Sequence, residues 1–297
     1  MSEKIKVLVT AKNGQLGWEL NRSKPSNIET LFCDSSELDI TLQDDVLRLV
    51  NDFKPNIVVN AAAYTSVDKA ESDSEACYAV NESGVKNLAI ACKKIQSKLI
   101  HISTDFVFGG EKNTPYQPND TTSPLGVYGA SKLAGERAAQ SILQEDVSIV
   151  RTAWVYSSHG NNFVKTMLRL MAEKSQLGIV SDQIGTPTSA KNLAAALWLL
   201  VDLMQEQTCD PIYHWTDLGI TSWYDFAIAI QEFGLQQKIL KTEIPILPIK
   251  IAQYPTAAKR PTYSVLDTTE LRETINLQGT HWRKALAEAL TELKQEK

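Results

Sequence analysis

Several features that mark common classes of protein are missing from this sequence. The four cysteines lie far apart, with no Cys-x-x-Cys pair and no histidine at zinc-ligand spacing: Cys33, Cys77, Cys92 and Cys209. We therefore expect free thiols in a reducing compartment rather than a zinc site or a disulfide framework. Long basic runs are also missing, and the formal net charge is −5. This charge argues against nucleic acid or a membrane surface as a partner.

Long hydrophobic runs are absent as well. The longest, LAAALWLLV at 193–201, lies between Lys191 and Asp202 and is too short to cross a bilayer. The opening residues MSEKIK lead directly into a strand-like segment without the apolar stretch of a signal peptide. We therefore expect a cytoplasmic protein.

The composition is typical of a folded globular chain. Of 297 residues, 43% are hydrophobic and 22% are charged, with 14 Gly and 11 Pro. This leaves no room for extended low-complexity segments. The length predicts one large α/β domain, or one domain with a smaller companion.

Short β-branched runs alternate with amphipathic helical segments over the first half of the chain. The runs KVLVT, IETLFC, NIVVNAA, KLIHIS and VSIVRTA are each separated by helical patterns. This rhythm predicts an α/β fold with a doubly wound parallel sheet of the Rossmann type. We expect a dinucleotide-binding domain over 1–155, to which segments near 190–217 return, and a smaller, discontinuous substrate domain over 156–297.

The first strand runs into the loop AKNGQLG, which begins at Ala11 where a dinucleotide loop normally has glycine. Gly14 and Gly17 remain, and Asp34 follows about twenty residues on, where a carboxylate can bind the adenosine ribose. A helix N-terminus with small residues can hold a pyrophosphate. We therefore interpret the loop as a working cofactor site and expect a negative φ at Ala11, where a methyl group costs nothing.

Tyr128 and Lys132 lie four residues apart in SPLGVYGASKLAGE, a spacing that places both on one face of a helix. Of the nine tyrosines, only Tyr128 has a lysine at this position. An ammonium near a phenol lowers the phenol's pKa. With a hydroxyl from the strand end Ser103-Thr104, the pair could polarise a carbonyl and protonate it. Hydride reduction of a ketone requires this chemistry.

At these residues the sequence resembles the extended short-chain dehydrogenase/reductase superfamily, and within it the reductases of dTDP-linked keto sugars. The resemblance covers nearly the whole chain. Its motifs, in order, are NGQLGWEL, LDIT, NAAAYTSVDKAE, Asn81, STDFVF, SPLGVYGASKLAGE, RTAWVY, GNNFVKTMLRL, DQIGTPT and YPTAAKRPTYSVLDT.

The resemblance implies NADPH or NADH as cofactor and a dTDP-sugar as substrate, with a 4-keto group reduced at C4. It assigns catalytic roles to Thr104, Tyr128 and Lys132, with Tyr128 as general acid. Besides Tyr128 and Lys132, the implied cofactor-binding residues are Ala11, Asn13, Gly14, Gln15, Leu16, Asp34, Asp39, Ile40, Ala62, Ala63 and Tyr64. The implied substrate-binding residues are Val67, Thr104, Asp105, Phe106, Tyr128, Trp154 and Arg260.

The sequence also departs from the family pattern. Phe106 stands where the family often has tyrosine, which removes one hydroxyl near the sugar. Some members hold magnesium through glutamates at a dimer interface, and Glu19 and Glu292 could correspond. Lys191 occupies the place of another such carboxylate, so we expect no metal, and the chain could be a monomer or a homodimer.

The sequence leaves two choices open, the cofactor and the exact function. Asp34 favours NADH because a carboxylate repels a 2′-phosphate, whereas Ser35, Ser36 and Lys12 could host that phosphate. The function could also differ: a reductase of a related dTDP-4-keto-deoxysugar would keep every motif, and some relatives act as non-catalytic regulatory subunits. No Gly-x-Ser-x-Gly elbow is present, which argues against a serine hydrolase.

Overall fold

A computed structural model describes residues 4–295. Residues 1–3 and 296–297, the outermost residues of the two predicted domains, lie outside the described residues. The strands are β1 (Ile5–Thr10), β2 (Ile28–Cys33), β3 (Ile57–Asn60), β4 (Lys98–Thr104), β5 (Val147–Thr152), β6 (Val155–Tyr156), β7 (Leu177–Val180), β8 (Ile184–Gly185), β9 (Thr188–Ser189), β10 (Ile212–His214), β11 (Thr221–Ser222) and β12 (Ile246–Ile249).

The α-helices cover the sheet and build the C-terminal part of the chain. They are α1 (Gln15–Arg22), α2 (Gln43–Phe53), α3 (Val67–Ala70), α4 (Ser74–Tyr78), α5 (Val85–Ile95), α6 (Val127–Leu143), α7 (Phe163–Glu173), α8 (Ala190–Glu206), α9 (Trp223–Gln236), α10 (Thr269–Thr274) and α11 (Trp282–Gln295). None of the helices within residues 4–295 is long and apolar enough to cross a membrane.

The central sheet has six strands in the order β10-β5-β4-β3-β1-β2, and every pairing within it is parallel. The strands are rich in Val, Ile and Leu because both faces of the sheet are covered. One core lies on the side of α1 and α8 and includes Leu20 and Trp198. The other lies under α2, α5 and α6 and includes Leu88 and Leu143. The predicted doubly wound, Rossmann-type fold is confirmed.

The order of the sheet reverses at β1, since β2 lies on one side of it and β3 on the other. Ligands of open α/β sheets bind beyond the carboxyl ends of the strands at this kind of switch point. Thr10, Asn60 and Thr104 lie at the carboxyl ends of β1, β3 and β4. The sheet thus places three polar side chains at the edge where residues 11–17, the predicted cofactor loop, begin.

The segment EACYAVNESGVKNLAIACKKI, predicted as a helix, contains a π-helical turn over Ala79–Gly84 between α4 and α5. At this turn α6 approaches closely, since a Cβ on Gly135 would lie 2.0 Å from the Asn81 carbonyl oxygen. The Asn81 amide donates to Ser131 Oγ at 3.0 Å. The turn therefore fixes the height of α6, the helix that carries Tyr128 and Lys132, above the sheet.

Three small two-stranded sheets pair β6 with β9, β7 with β12, and β8 with β11. A third core packs α7, α9 and α11 against β6, β7 and β12 through residues such as Met167, Phe226 and Leu290. The strand-like runs named in the sequence end at VSIVRTA, so β11 and β12 were not predicted. Both are short, and Pro248 within β12 argues against a strand in sequence.

Candidate active site

The loop between β1 and α1 bends at Ala11, whose φ is 56. The expectation of a negative φ there was wrong. The Ala11 carbonyl oxygen accepts a hydrogen bond from the Gly14 N–H at 2.9 Å, and the Lys12 N–H donates to the Cys33 carbonyl at 3.0 Å. These two bonds turn the chain away from the strand direction, which places residue 11 in the left-handed region that disfavours a side chain.

Gly14 and Gly17 make this loop compact. Gly14 is the N-cap residue of α1, with a φ of −76°, and it has no side chain that could cap the helix with a hydrogen bond. A Cβ on Gly17 would lie 2.1 Å from the Ala11 carbonyl oxygen, so only glycine fits there. The first N–H groups of a helix lack partners within it, and an anion is stabilised beside them. The loop therefore fits a dinucleotide pyrophosphate.

Thr104, Tyr128 and Lys132 meet in a cavity of about 590 Å³ beside this loop. Thr104 ends β4, whereas the other two residues lie on α6. The helix approaches the strand end closely because residue 129 is glycine, whose Cβ would lie 2.2 Å from the Phe106 carbonyl oxygen. The cavity wall also includes Ala11, Asn13, Gly14, Gln15, Leu16, Ala63, Asp105, Phe106 and Trp154.

Burial dominates the titration of Tyr128. It raises the pKa of the phenol, against the opposing effect of a hydrogen bond with Thr104, and the Asp105 carboxylate raises it further. The pKa of Tyr128 therefore lies above its ordinary value, the opposite of the lowering that a nearby ammonium favours, because desolvation outweighs the hydrogen bond with Thr104. Tyr128 is therefore a neutral phenol at pH 7, which is the form that can donate a proton.

Lys132 is only 2% exposed. Its Nζ donates to the Ile102 carbonyl oxygen at 2.6 Å and lies 3.4 Å from His101 Nε2. Burial lowers the pKa of the Lys132 amine to about 8. The side chain thus crosses from α6 to β4, where the Ile102 carbonyl near the end of the strand holds its amine.

Asp105 follows Thr104 at the base of the same cavity. The Thr104 hydroxyl donates to Asp105 Oδ1 at 3.0 Å. Burial raises the pKa of this carboxyl to about 6, although hydrogen bonds from Ser264 and Thr104 favour the ionised form. A carboxylate here is suited to accept a hydrogen bond from a sugar hydroxyl.

A second cavity, of about 370 Å³, opens on the other side of the loop and is lined by Asp34, Asp39, Ile40, Ala62 and others. Hydrogen bonds from the Ser36 hydroxyl and N–H are the main cause of the low pKa of Asp34, about 2. The Asn13 amide also donates to Asp34 Oδ2, at 3.0 Å. An ionised carboxylate in this place suits a free ribose hydroxyl.

Lys12 lies beside Asp34, which lines this second cavity, but is already paired. Its Nζ is 2.5 Å from Glu37 Oε2 and 3.5 Å from Asp34 Oδ2. Glu37 Oε2 also accepts the Asp34 backbone N–H at 2.9 Å. The three side chains together carry one net negative charge, and the Lys12 ammonium is turned toward the carboxylates.

Three residues assigned by resemblance lie outside the walls of these two cavities. The Tyr64 hydroxyl donates to Asp73 Oδ2 at 3.1 Å, and Val67 begins α3. Arg260 binds both oxygens of Asp68, at 3.1 and 2.6 Å. Arg260 therefore has a structural partner that sequence reasoning overlooked, and the pair joins α3 to the C-terminal loop.

Arg260 instead lines a third, largely apolar cavity of about 430 Å³, together with Phe163 and Trp223. Trp223 also lines the first cavity, so the two cavities adjoin. Trp223 stacks on Trp154 with ring centroids 3.5 Å apart, and Trp154 has φ 50. Sequence reasoning missed Trp223; the signal was Ser222 with Asp225, a helix cap that fixes residue 223 at the start of α9.

The two glutamates considered for a metal are bound to cations of the chain itself. Arg22 donates to Glu19 at 2.8 Å and to Glu292 at 3.1 Å, and Lys191 donates to Glu292 at 2.7 Å. Within residues 4–295, no group of three or more His, Cys, Asp or Glu side chains is arranged to hold a metal ion.

A nucleotide cradle and a Tyr–Lys pair facing one cavity define an extended short-chain dehydrogenase/reductase. The chain belongs to the family described as "RmlD substrate binding domain", whose model matches residues 5–295. It is 43% identical to a dTDP-4-dehydrorhamnose reductase of Aggregatibacter actinomycetemcomitans over 285 residues, which cover 95% of this chain and 97% of the relative.

Solved structures agree with this family. A dTDP-4-dehydrorhamnose reductase from Clostridium acetobutylicum matches with a TM-score of 0.90 and 38% identity, covering 98% of this chain and 100% of the other. The Bacillus anthracis reductase, solved in complex with NADP, matches with a TM-score of 0.90 and 35% identity over the same shares. A Thermus thermophilus UDP-glucose 4-epimerase, at 17% identity, shares the fold, with a TM-score of 0.82.

Proposed function

We propose that this protein reduces the C4 ketone of dTDP-4-dehydro-6-deoxy-L-mannose to give dTDP-L-rhamnose, using NADH or NADPH, with Tyr128 as general acid. The observation that carries the proposal is the meeting of Thr104, Tyr128 and Lys132 in one cavity, next to a glycine loop shaped for a pyrophosphate. Relatives that cover nearly the whole chain carry the same enzyme name.

The residues present fit a nicotinamide dinucleotide. The glycine loop would hold the pyrophosphate, the second cavity would hold the adenosine with Asp34 on its ribose, and Lys132 would bind the ribose next to the nicotinamide. When bound in reduced form, the nicotinamide supplies the hydride for C4 of the sugar.

The protein side chains would supply the proton and the orientation. Thr104 would redirect its hydroxyl hydrogen from Asp105 to the ketone oxygen, and Tyr128 would transfer its phenolic proton to that oxygen as negative charge develops there. The high pKa of Tyr128 keeps it protonated before the reaction. After transfer, the phenolate would regain its proton from solvent.

The third cavity would bind the nucleotide part of the substrate. Its wall is mostly apolar, with Phe163 and Trp223 available to stack on a base, and Arg260 at its rim could bind a diphosphate oxygen. Since Trp223 borders both cavities, a sugar attached to a nucleotide in the third cavity would reach Tyr128. We propose residues 156–297 as the substrate-binding domain on this basis.

The proposal is tested by incubating the protein with dTDP-4-dehydro-6-deoxy-L-mannose and each reduced nicotinamide. We expect cofactor oxidation and a product with the proton couplings of a rhamnosyl ring in the NMR spectrum. A different deoxysugar would identify a reductase of a related keto sugar. No oxidation with either cofactor would contradict the proposal and favour a regulatory subunit.

A further inference from the structure

A buried chain of polar side chains runs from the cofactor loop to Lys132 without being explained by the reaction itself. Thr10 donates to Asn60 Oδ1 at 2.7 Å, and the Asn60 amide nitrogen lies 3.1 Å from His101 Nδ1. His101 Nε2 then lies 3.4 Å from Lys132 Nζ. Thr10, Asn60, His101 and Lys132 are each at most 2% exposed.

The orientation of the Asn60 amide is fixed by the backbone. The Ala62 N–H points at both Asn60 Oδ1, at 3.2 Å, and Thr10 Oγ, at 3.0 Å. Only an oxygen can accept from an N–H, so the amide oxygen faces Ala62 and the amide NH₂ faces the histidine. The opposite orientation would set two donors against each other inside a buried site.

This orientation dictates which nitrogen of His101 carries the proton. Because Asn60 donates to Nδ1, that nitrogen must be a bare acceptor. Burial, with a smaller contribution from Lys132, holds the pKa of His101 well below its usual value, so the ring is neutral at pH 7. A neutral imidazole with a bare Nδ1 has its hydrogen on Nε2, the atom that faces Lys132.

The Nε2–H of His101 interacts differently with the neutral amine and with the ammonium form of Lys132. A neutral amine can accept from His101 Nε2–H while it donates one hydrogen to the Ile102 carbonyl, and a second hydrogen stays available for a ligand. An ammonium has three hydrogens and no lone pair, so it would face the imidazole N–H as donor against donor. The contact therefore favours the neutral amine.

Other titratable groups near Lys132 do not reverse this preference. Cys77 and Glu136 both favour the charged amine by Coulomb attraction, but burial outweighs them. Glu136 is already bound by Arg151 through both carboxylate oxygens, at 3.0 and 2.7 Å. Tyr128, one turn earlier on α6, is a neutral phenol.

We propose that His101 is a positioning residue for Lys132: Asn60 holds it as the Nε2–H tautomer, and this tautomer favours the neutral form of the Lys132 amine. The functional part of the proposal rests on the proposed reductase activity. The amine, with a pKa of about 8, is still mostly protonated at pH 7, and the tautomer helps to set the pH at which it loses its charge. Because the imidazole offers no acceptor to it, Lys132 directs its hydrogens to the Ile102 carbonyl and into the cavity, where the proposed cofactor ribose would accept one.

The tautomer itself can be observed without any catalysis. The chain has four histidines, His101, His159, His214 and His281, and two-bond ¹H–¹⁵N spectra separate the two neutral tautomers by the shift of the bare nitrogen. His214 is an internal reference: its Nδ1 lies 3.0 Å from the Tyr116 carbonyl oxygen, which can only accept, so it must be the Nδ1–H tautomer.

For the two buried rings we therefore expect one neutral tautomer of each kind near pH 7: His214 with its hydrogen on Nδ1 and His101 with its hydrogen on Nε2. The His101 signals are identified by their loss in His101→Gln. A His101 ring with hydrogen on Nδ1, or one that titrates near pH 6.5, would overturn the proposal whether or not the protein proves to be a reductase.

The effect on Lys132 is tested by reversing the hydrogen bond. In Asn60→Asp, both carboxylate oxygens accept, so His101 would place its hydrogen on Nδ1 and turn a bare Nε2 to the lysine. The basic limb of the kcat/KM profile, near pH 8 if it reports Lys132, should move upward by about one pH unit or more. His101→Phe removes the N–H without adding a charge and should move it upward by less.

If the basic limb of the kcat/KM profile lies at the same pH in wild type, Asn60→Asp and His101→Phe, the proposed effect of His101 on Lys132 is contradicted. Should the substituted proteins fail to fold, the wild-type NMR spectrum still decides the tautomer. Absence of turnover in wild type would refute the proposed reaction, while the same spectrum would continue to support or refute the assignment to His101.

Discussion

Gly17 lies so close to Ala11 that a Cβ at residue 17 would be 2.1 Å from the Ala11 carbonyl oxygen. The glycine that the turn needs for packing is therefore present, whereas the position that needs a positive φ carries a methyl group. The left-handed conformation costs an L-residue about 1–2 kcal/mol. The cofactor loop keeps its shape against this cost, through the hydrogen bonds of Ala11 and Lys12.

Ala11→Gly should stabilise the protein. Relief of the strained φ exceeds the extra chain entropy of glycine in the unfolded state, so the free energy of unfolding should rise by about 0.5–1 kcal/mol. Urea denaturation measures it. Ala138→Gly, within α6, is the matched control and should lower stability by about 1 kcal/mol. A loss of stability in both variants would show that Ala11 is not strained.

Glu37→Gln should shift the cofactor preference toward NADPH. Without this carboxylate, Lys12 loses its nearest partner and becomes available to a 2′-phosphate, whereas the free ribose of NADH gains nothing. Because the charges are exposed, we expect NADPH to bind about two- to fivefold more tightly, with NADH changed by less than that.

Fluorescence titration with each reduced cofactor gives both dissociation constants. Lys12→Met combined with Glu37→Gln is the control, because without the ammonium the gain for NADPH should vanish. Equal changes for NADH and NADPH in Glu37→Gln would mean that Lys12 takes no part in cofactor selection.

The buried Arg151–Glu136 pair should be essential to stability. Glu136 and Arg151 have side chains only 1% and 2% exposed, and Arg151 also donates to the Pro118 carbonyl at 3.1 Å. Arg151→Met leaves an uncompensated buried carboxylate and should cost about 3–5 kcal/mol in chemical denaturation. Adding Glu136→Leu should recover part of that loss; a double variant no more stable than Arg151→Met would contradict the pairing.

Asp217 should make stability depend on pH. Burial raises the pKa of this carboxyl from 3.8 to about 7, despite hydrogen bonds from the Ser189 N–H and the Asn192 amide. Between about pH 4 and pH 7 the native state thus holds the Asp217 proton more tightly than the unfolded state does. The stabilisation from this proton is complete below about pH 4 and is lost as pH rises through 7, on the order of 1 kcal/mol per pH unit. Denaturation midpoints at several pH values should show this slope in wild type and a smaller one in Asp217→Asn.

The central sheet was predictable because its strands carry a strong local signal, namely short runs of Val, Ile and Leu between amphipathic helices. The small sheets were not, since β11 has two residues and β12 contains proline. Their pairing depends on partners distant in sequence, such as β7 for β12. Local patterns carry no information about such partners.

The features of the site also divide into those that the local sequence predicts and those that depend on distant contacts. Thr104, Tyr128 and Lys132 were found because a helical spacing and a strand end place them locally. The sign of φ at Ala11 and the partner of Arg260 depend on contacts with Gly14, Cys33 and Asp68, which the local sequence does not specify. The net rise in the pKa of Tyr128 was not predicted, because the degree of burial of Tyr128 is a property of the whole fold.

The most direct test of the account is a single turnover of dTDP-4-dehydro-6-deoxy-L-mannose with bound NADH, comparing wild type with Tyr128→Phe. We predict that wild type oxidises the cofactor and that the phenylalanine variant does so at least about a hundredfold more slowly, with a dissociation constant for NADH within a few-fold of wild type. A Tyr128→Phe enzyme that turns over at nearly the wild-type rate would contradict it.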